Sequence, residues 1–254
     1  MRFYLRKIFF IITTFKKNVR LLFFHIYKLF IDPLKFKYNL EITNPYIPNK
    51  TTAVKISQIK KYLFKNKKIT ILEIGTYLGE FTFKLSDYLS SKNIKYKIVT
   101  VDPYIVNSFD VNNDYVYKVF KHNLSLNKRS NHIDFFKLKS KDAFKLFLKK
   151  KYEFDIIFID GSHIFDNVMS DLKNSLYYKK KYKAEIFLDD LDFTYEELLN
   201  IYKNKRIVNS ILKKSIKKDY VKDKVNFHPG TLLAIKKMNL KVSNKKYGTL
   251  RKLI

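Results

Sequence analysis

Lys68–Leu85 reads KITILEIGTYLGEFTFKL, and in its first half Ile69, Ile71, Leu72 and Ile74 form the short apolar run of a strand buried on both faces. The run stops at Gly75, and a helical recurrence of Phe81, Leu85, Tyr88 and Leu89 begins after Gly79. A strand, a glycine-bearing turn and a helix make a ligand cradle at the carboxyl edge of a parallel sheet. The spacing narrows the ligand. A dinucleotide fingerprint requires Gly-x-Gly-x-x-Gly, whereas Tyr77 and Leu78 stand where further glycines would be needed. What remains is an acid at the strand end, Glu73, then Gly75 and Gly79, in the pattern E-x-G-x-x-x-G. The plainer alternative is that the two glycines only shape a tight strand–helix turn.

The same alternation continues outward from this stretch. Before it, Ile56, Ile59 and Leu63 line one side of a helix that Thr51 or Thr52 would cap. Asn44–Asn49, with Pro45 and Pro48, reads as a linker. After it come strands over Tyr96–Val101, Ile133–Leu138, Asp155–Ile159, Ala184–Leu188 and Thr231–Lys236. Helices are expected over Asp142–Lys150, Phe165–Tyr178 and Glu196–Tyr202, with Ile207–Phe227 open to more than one assignment. Strands alternating with helices predict an α/β fold, a Rossmann-like doubly wound and mostly parallel sheet with an N-terminal helical extension. Three later strands finish in acids, Asp102, Asp160 and Asp189, the last followed by Asp190. Carboxylates at the ends of buried strands are costly unless something pairs with them, so three in register imply a shared polar crevice.

The chain has 254 residues, room for one α/β domain plus an appendage, and no cysteine, which excludes a disulfide framework, thiolate metal sites and a cysteine nucleophile. A net charge of +29 points to nucleic acid or anionic membrane. However, lysine is enriched together with Asn, Ile, Phe and Tyr and is scattered over every segment, as compositional bias would produce. Nucleic acid is therefore the weaker expectation. Met1–Ile31 carries apolar residues at helical spacing (Leu5, Ile8, Phe9, Ile12, Val19, Leu22, Phe23, Ile26, Leu29, Phe30) beside a polar seam of Arg6, Thr13, Lys17 and Arg20. Its uncharged runs are far shorter than the roughly 18–20 residues that cross a bilayer, and no small-residue cleavage site follows them. Two readings stand: a helix lying in an anionic membrane interface, or one packed on the rest of the chain or on a second copy in a homo-oligomer. Asp32-Pro33 ends it. The expected organisation is residues 1–50 as basic amphipathic extension and linker, 51–240 as the main domain and 241–254 as a basic tail. The expected location is cytoplasmic, with peripheral contact on the inner face of a membrane through residues 1–31.

EIGTYLGEFT, VDPY, FDIIFIDGSH and FLDD, in this order, resemble the class I S-adenosylmethionine (SAM) dependent methyltransferases, in the variant that lacks the middle glycine of the first motif. The likeness is to the group of macrocin-type sugar O-methyltransferases and cephalosporin-hydroxylase-like proteins, and it runs from about Thr52 to Lys236. SAM has no pyrophosphate, so such a turn needs no full nest of N–H groups. The resemblance implies that Glu73, Gly75, Thr76 and Gly79 surround the methionine part of SAM, that Asp102 holds the ribose hydroxyls, and that Asp160 borders the cofactor. Ser140, in KLKSKDAF, would lie near the adenine, with Asp142 a weaker candidate and a helix N-cap the alternative for Ser140.

In similar O-methyltransferases a Mg²⁺ ion binds adjacent substrate hydroxyls. Asp160, Asp189 and Asp190 are its candidate ligands here. Leu188, where a histidine often precedes the acids, and Lys183-Ala184-Glu185, where a Gly-Gly turn is common, depart from that pattern. His163 is the candidate base beside Asp160, because histidine titrates near neutrality; a loop-orienting hydrogen bond is its alternative role. His228 rests on no pattern. Ser162 is not in a G-x-S-x-G elbow, so no hydrolase triad is expected. The expected activity is O-methylation of a sugar or other polyhydroxylated small molecule, with metal assistance. The alternatives are a nucleic-acid methyltransferase and a non-catalytic, membrane-associated partner protein with the SAM fold.

Overall fold

A computed structural model of the chain describes residues 49–63, 68–105, 113–127, 129–189, 191, 195–214, 229–243 and 250–254. The amphipathic segment Met1–Ile31, Asp32-Pro33, the linker up to Pro48, Asp190 and His228 lie outside them. The elements in order are α1 (Asn49–Leu63), β1 (Lys68–Ile74), α2 (Glu80–Ser91), β2 (Lys95–Val101), α3 (Asn113–Leu126), β3 (Ile133–Phe136), α4 (Ser140–Lys149), β4 (Ile156–Ile159), α5 (Phe165–Tyr182), β5 (Glu185–Leu188), α6 (Tyr195–Tyr202), α7 (Lys205–Lys214), α8 (Pro229–Lys237) and β6 (Arg251–Lys252).

The sheet order is β3-β2-β1-β4-β5-β6, parallel except for β6, which runs antiparallel to β5. This is the expected Rossmann-like arrangement. The chain winds outward through β1, β2 and β3, then returns to lay β4 against the other side of β1. The gap between β1 and β4 is thus the topological switch point, where a parallel sheet opens a crevice at its carboxyl ends.

The central strands β1, β2, β4 and β5 bury both faces, which explains their continuous apolar runs. Ile69 and Ile71 of β1 pack with Ile98, Phe158 and Phe187 beneath α1, α2 and α3. Leu72 and Ile74 pack on the opposite side with Val99, Ile157, Ile186 and residues of α4, α5 and α8. Burying side chains of this size contributes on the order of 1.5–3 kcal/mol each.

Three expectations are corrected. Thr231–Lys236 is not a strand but the body of α8; Pro229 opens the helix, where its missing N–H costs nothing, and Lys236 and Lys237 close it. The segment read as a basic tail instead supplies β6, with Leu250, Arg251 and Leu253 buried. Thr52 does not cap α1, which starts at Asn49; its hydroxyl donates to Glu80 Oε1 at 3.0 Å, tying α1 to the start of α2.

Candidate active site

Register places the acids. Ile74, Val101, Ile159 and Leu188 are aligned across four adjacent strands. The next residues, Asp102, Gly75, Asp160 and Asp189 in sheet order, therefore form a row along the carboxyl edge. Backbone bonds carry the ladder into that row, from Gly75 N to Val101 O (2.9 Å), Asp160 N to Ile74 O (2.8 Å) and Asp189 N to Ile159 O (3.0 Å). Side chains alternate along a strand. Glu73, Asp102, Asp160 and Asp189 consequently share the face of Ile71, Ile98, Phe158 and Phe187, the face covered by α1 and α2.

Gly75 (φ +95°) is the joint of the row. A Cβ there would lie 2.1 Å from the Asp160 carbonyl oxygen and 2.7 Å from Gly161 Cα. The missing side chain thus admits the chain's own β4 tip, so the turn after β1 and the DGSH loop touch backbone to backbone. Gly79 (φ +85°) is the N-cap of α2, and a Cβ there would strike the Phe83 and Phe120 rings.

Asp102 Oδ2 accepts from the N–H groups of Thr76 (3.0 Å) and Tyr77 (2.9 Å), and Oδ1 accepts from Tyr104 N (2.7 Å). These bonds lower its pKa, yet burial outweighs them and holds the carboxyl above its ordinary value. Tyr77 and Tyr104 both adopt positive φ, a conformation uncommon for bulky residues, and the Asp102 bonds pin both. Tyr104 also donates from its hydroxyl to Tyr77 O at 2.8 Å. Asp102 keeps unused lone pairs and partial exposure toward the crevice.

Glu73, Thr76 and Gly79 lie behind this surface. Glu73 is buried and accepts from the hydroxyls of Thr82 and Thr100, the latter at 2.8 Å. Burial drives its carboxyl up to about 8, against the lowering effect of both threonines. Thr76 shares a hydroxyl contact with Thr100. At the strand tips the residues with partial exposure include Gly75, Tyr77, Asp102, Asp160, Gly161 and His163, with Ser162 exposed. A polar rim with hydroxyl acceptors at one end and a backbone joint in the middle fits a nucleoside bearing a small charged group.

Ser140 is engaged away from the row of strand-end acids. It is the first residue of α4, and its hydroxyl bonds the buried Asp171 carboxyl, which burial pushes up to about 7. Asp142, in the same first turn, makes a surface ion pair with Lys145 at 3.6 Å. His163 is half-buried on the DGSH loop, and its carbonyl lies so close to Gly230 of α8 that a Cβ there would sit 2.0 Å away.

Two residues escaped sequence reasoning. The Lys55 ammonium, from α1, contacts Asp160 Oδ2 at 3.2 Å and Asp189 Oδ2 more closely still. Among the described residues no group of three His, Asp or Glu side chains converges as metal ligands would. Arg251 is fully buried; its Nε donates to Leu191 O (2.9 Å) just past the acid pair, and Nη2 reaches Glu197 Oε2 at 2.8 Å. Lys183 takes the left-handed turn before β5 (φ +59°), where the resemblance would have placed glycine.

Residues 72–191 match the family model for a methyltransferase domain. Among solved structures, the methyltransferase PaMTH1 of Podospora anserina, determined with S-adenosylhomocysteine (SAH) bound, aligns with a TM-score of 0.52 and 15% identity over 87% of each chain. The O-methyltransferase of Bacillus cereus in complex with SAH aligns at 0.48 and 14% over 91% of this chain and 95% of that one. TomG of Streptomyces achromogenes, an O-methyltransferase solved with SAM, aligns at 0.48 and 11% over 91% and 93%. No curated protein matches the chain in sequence.

Proposed function

We propose that this chain, whose residues 72–191 match a methyltransferase domain, is a SAM-dependent methyltransferase that methylates a hydroxyl oxygen of a sugar or similar polyhydroxylated small molecule. The observation that carries this reading is the row Asp102–Gly75–Asp160–Asp189, which sets hydroxyl-accepting carboxylates on both sides of the backbone joint. SAM supplies an electrophilic methyl group on sulfur. Asp102 takes the ribose hydroxyls with its free lone pairs, each charge-assisted bond contributing about 1.5–3 kcal/mol. Gly75 and Tyr77 border the methionine part, while Glu73, Thr76 and Gly79 brace the turn from behind. Ser140 reaches the adenine side only by leaving Asp171. Asp160, 30% exposed, orients the acceptor hydroxyl. His163 is the residue that would take the proton of the acceptor hydroxyl, with the methyl group supplied by bound SAM.

Calorimetric titration with SAM and SAH tests the cofactor half. Binding should be present and at least tenfold weaker in Asp102→Ala, and absence of binding sinks the proposal. Labelled methyl transfer to a panel of sugars tests the acceptor half. His163→Ala should lower turnover there without changing SAH affinity.

No helix among the described residues is long and apolar enough to cross a membrane. We further propose that Met1–Ile31 lies on an anionic membrane surface, where each nearby Lys or Arg adds about 1 kcal/mol. Protein lacking that segment should lose partitioning to anionic vesicles; unchanged partitioning would refute it.

A further inference from the structure

Asp160 and Asp189, two of the three acids expected to hold Mg²⁺, are already held by a cation that the chain itself supplies. Asp189 is 3% exposed, and Lys55, 17% exposed, lies between it and Asp160. An ionised carboxylate that deep requires a partner, and the ammonium supplies one. Mg²⁺ demands a near-ideal octahedron of oxygens, several of them water. To reach Asp160 Oδ2 and Asp189 Oδ2 it would have to expel an ammonium tethered to α1, or sit beside it in direct repulsion. The described residues therefore do not fit a divalent cation.

Resting on the methyltransferase reading above, we propose that Lys55 is the resident cation of the acceptor site, a tethered ammonium in the place where related enzymes hold a metal. Asp160 and Asp189 use two of its three N–H groups. The third serves the acceptor oxygen and stabilises the negative charge that develops there as its proton leaves. Lys55 also fixes the two carboxylates relative to each other, because α1 is anchored independently through Ile56, Ile59 and Leu63 and through Thr52 on Glu80.

The test uses the full chain and Mn²⁺ as probe, followed by electron paramagnetic resonance, with SAH titrated separately by calorimetry. Wild type should show no stoichiometric Mn²⁺ site below about 1 mM, and its SAH affinity should be the same within twofold in EDTA and in excess Mg²⁺. Lys55→Ala removes the tethered charge and should gain Mn²⁺ affinity tenfold or more, a gain that Asp189→Asn abolishes in the double variant. Lys55→Arg keeps the charge and should remain blind to Mn²⁺, which preserves the test if the alanine variant does not fold. One Mn²⁺ bound by wild type at micromolar Kd and lost in Asp160→Asn would overturn the proposal. So would a folded Lys55→Ala that binds Mn²⁺ no better than wild type. Absence of SAH binding by wild type would instead strike the cofactor reading and leave the Mn²⁺ comparison standing.

Discussion

Gly75→Ala tests the joint on which the site depends. A Cβ would enter about 1.3 Å inside the 3.4 Å limit of ordinary contact, against the Asp160 carbonyl, and its next neighbours are also backbone atoms of residues 160 and 161. Backbone held in a sheet ladder cannot swing aside as a side-chain tip can. Overpacking of this kind costs about 1–3 kcal/mol, and the left-handed φ adds about 1–2 kcal/mol for an L-residue. The stiffer unfolded chain returns only about 0.4–1 kcal/mol. The expected net loss is about 2–4 kcal/mol, a fall in Tm of roughly 5–12 °C for a chain of this size. Because the atom displaced belongs to Asp160, SAH affinity should fall with it. Gly161→Ala is the control: its Cβ would meet the Ile74 methyl at 3.3 Å and the Ile74 carbonyl only at ordinary contact distance, at an unstrained φ, and should cost about 1 kcal/mol or less. Urea denaturation and calorimetry on both variants decide the matter. Gly75→Ala with wild-type stability and SAH affinity would refute the reasoning.

Burial holds Glu73 up to about 8 and Asp171 up to about 7, so the folded state keeps protons that the unfolded chain releases above pH 4–5. Stability from this source is full at acid pH and is lost as pH rises to 8, by an amount on the order of several kcal/mol. Melting curves at pH 5.5 and 8.5 should show the fall, and Glu73→Gln should flatten it; a Tm that rises with pH in both proteins would contradict the assignment. Arg251→Met removes the guanidinium that donates to the Leu191 carbonyl and to Glu197 and should cost about 2–4 kcal/mol in urea denaturation. Glu197→Ala, at a 40% exposed carboxylate, should cost about 1 kcal/mol or less, and equal losses would show that the buried guanidinium is not what matters. Asp102→Asn should raise amide exchange at Tyr77 and Tyr104, whose N–H groups lose a charged acceptor; unchanged protection would sink the clamp.

The sequence made the centre of the sheet legible because strands buried on both faces are written as unbroken apolar runs, and the acids at their ends mark the carboxyl edge. LLAI in α8 misled because four apolar residues carry no period, and the helix signals, Pro229 before it and two lysines after, lay outside the run. Lys55 was illegible for a different reason. In a chain with 52 lysines and arginines, one that neutralises two strand-end acids looks like its neighbours until α1 is placed over β1 and β4. Arg251 was hidden likewise, inside a segment whose composition reads as a solvated tail.

The contact between Gly75 and Asp160 has a bearing on how this scaffold can be re-engineered. In the proposed site the donor side and the acceptor side meet at one backbone contact, so neither can be tuned by shifting its backbone alone. New selectivity must come from parts hung beyond that contact, from Ser162 onward and along the outer side of α1. Grafts there can exchange one acceptor for another while the cofactor half stays as built.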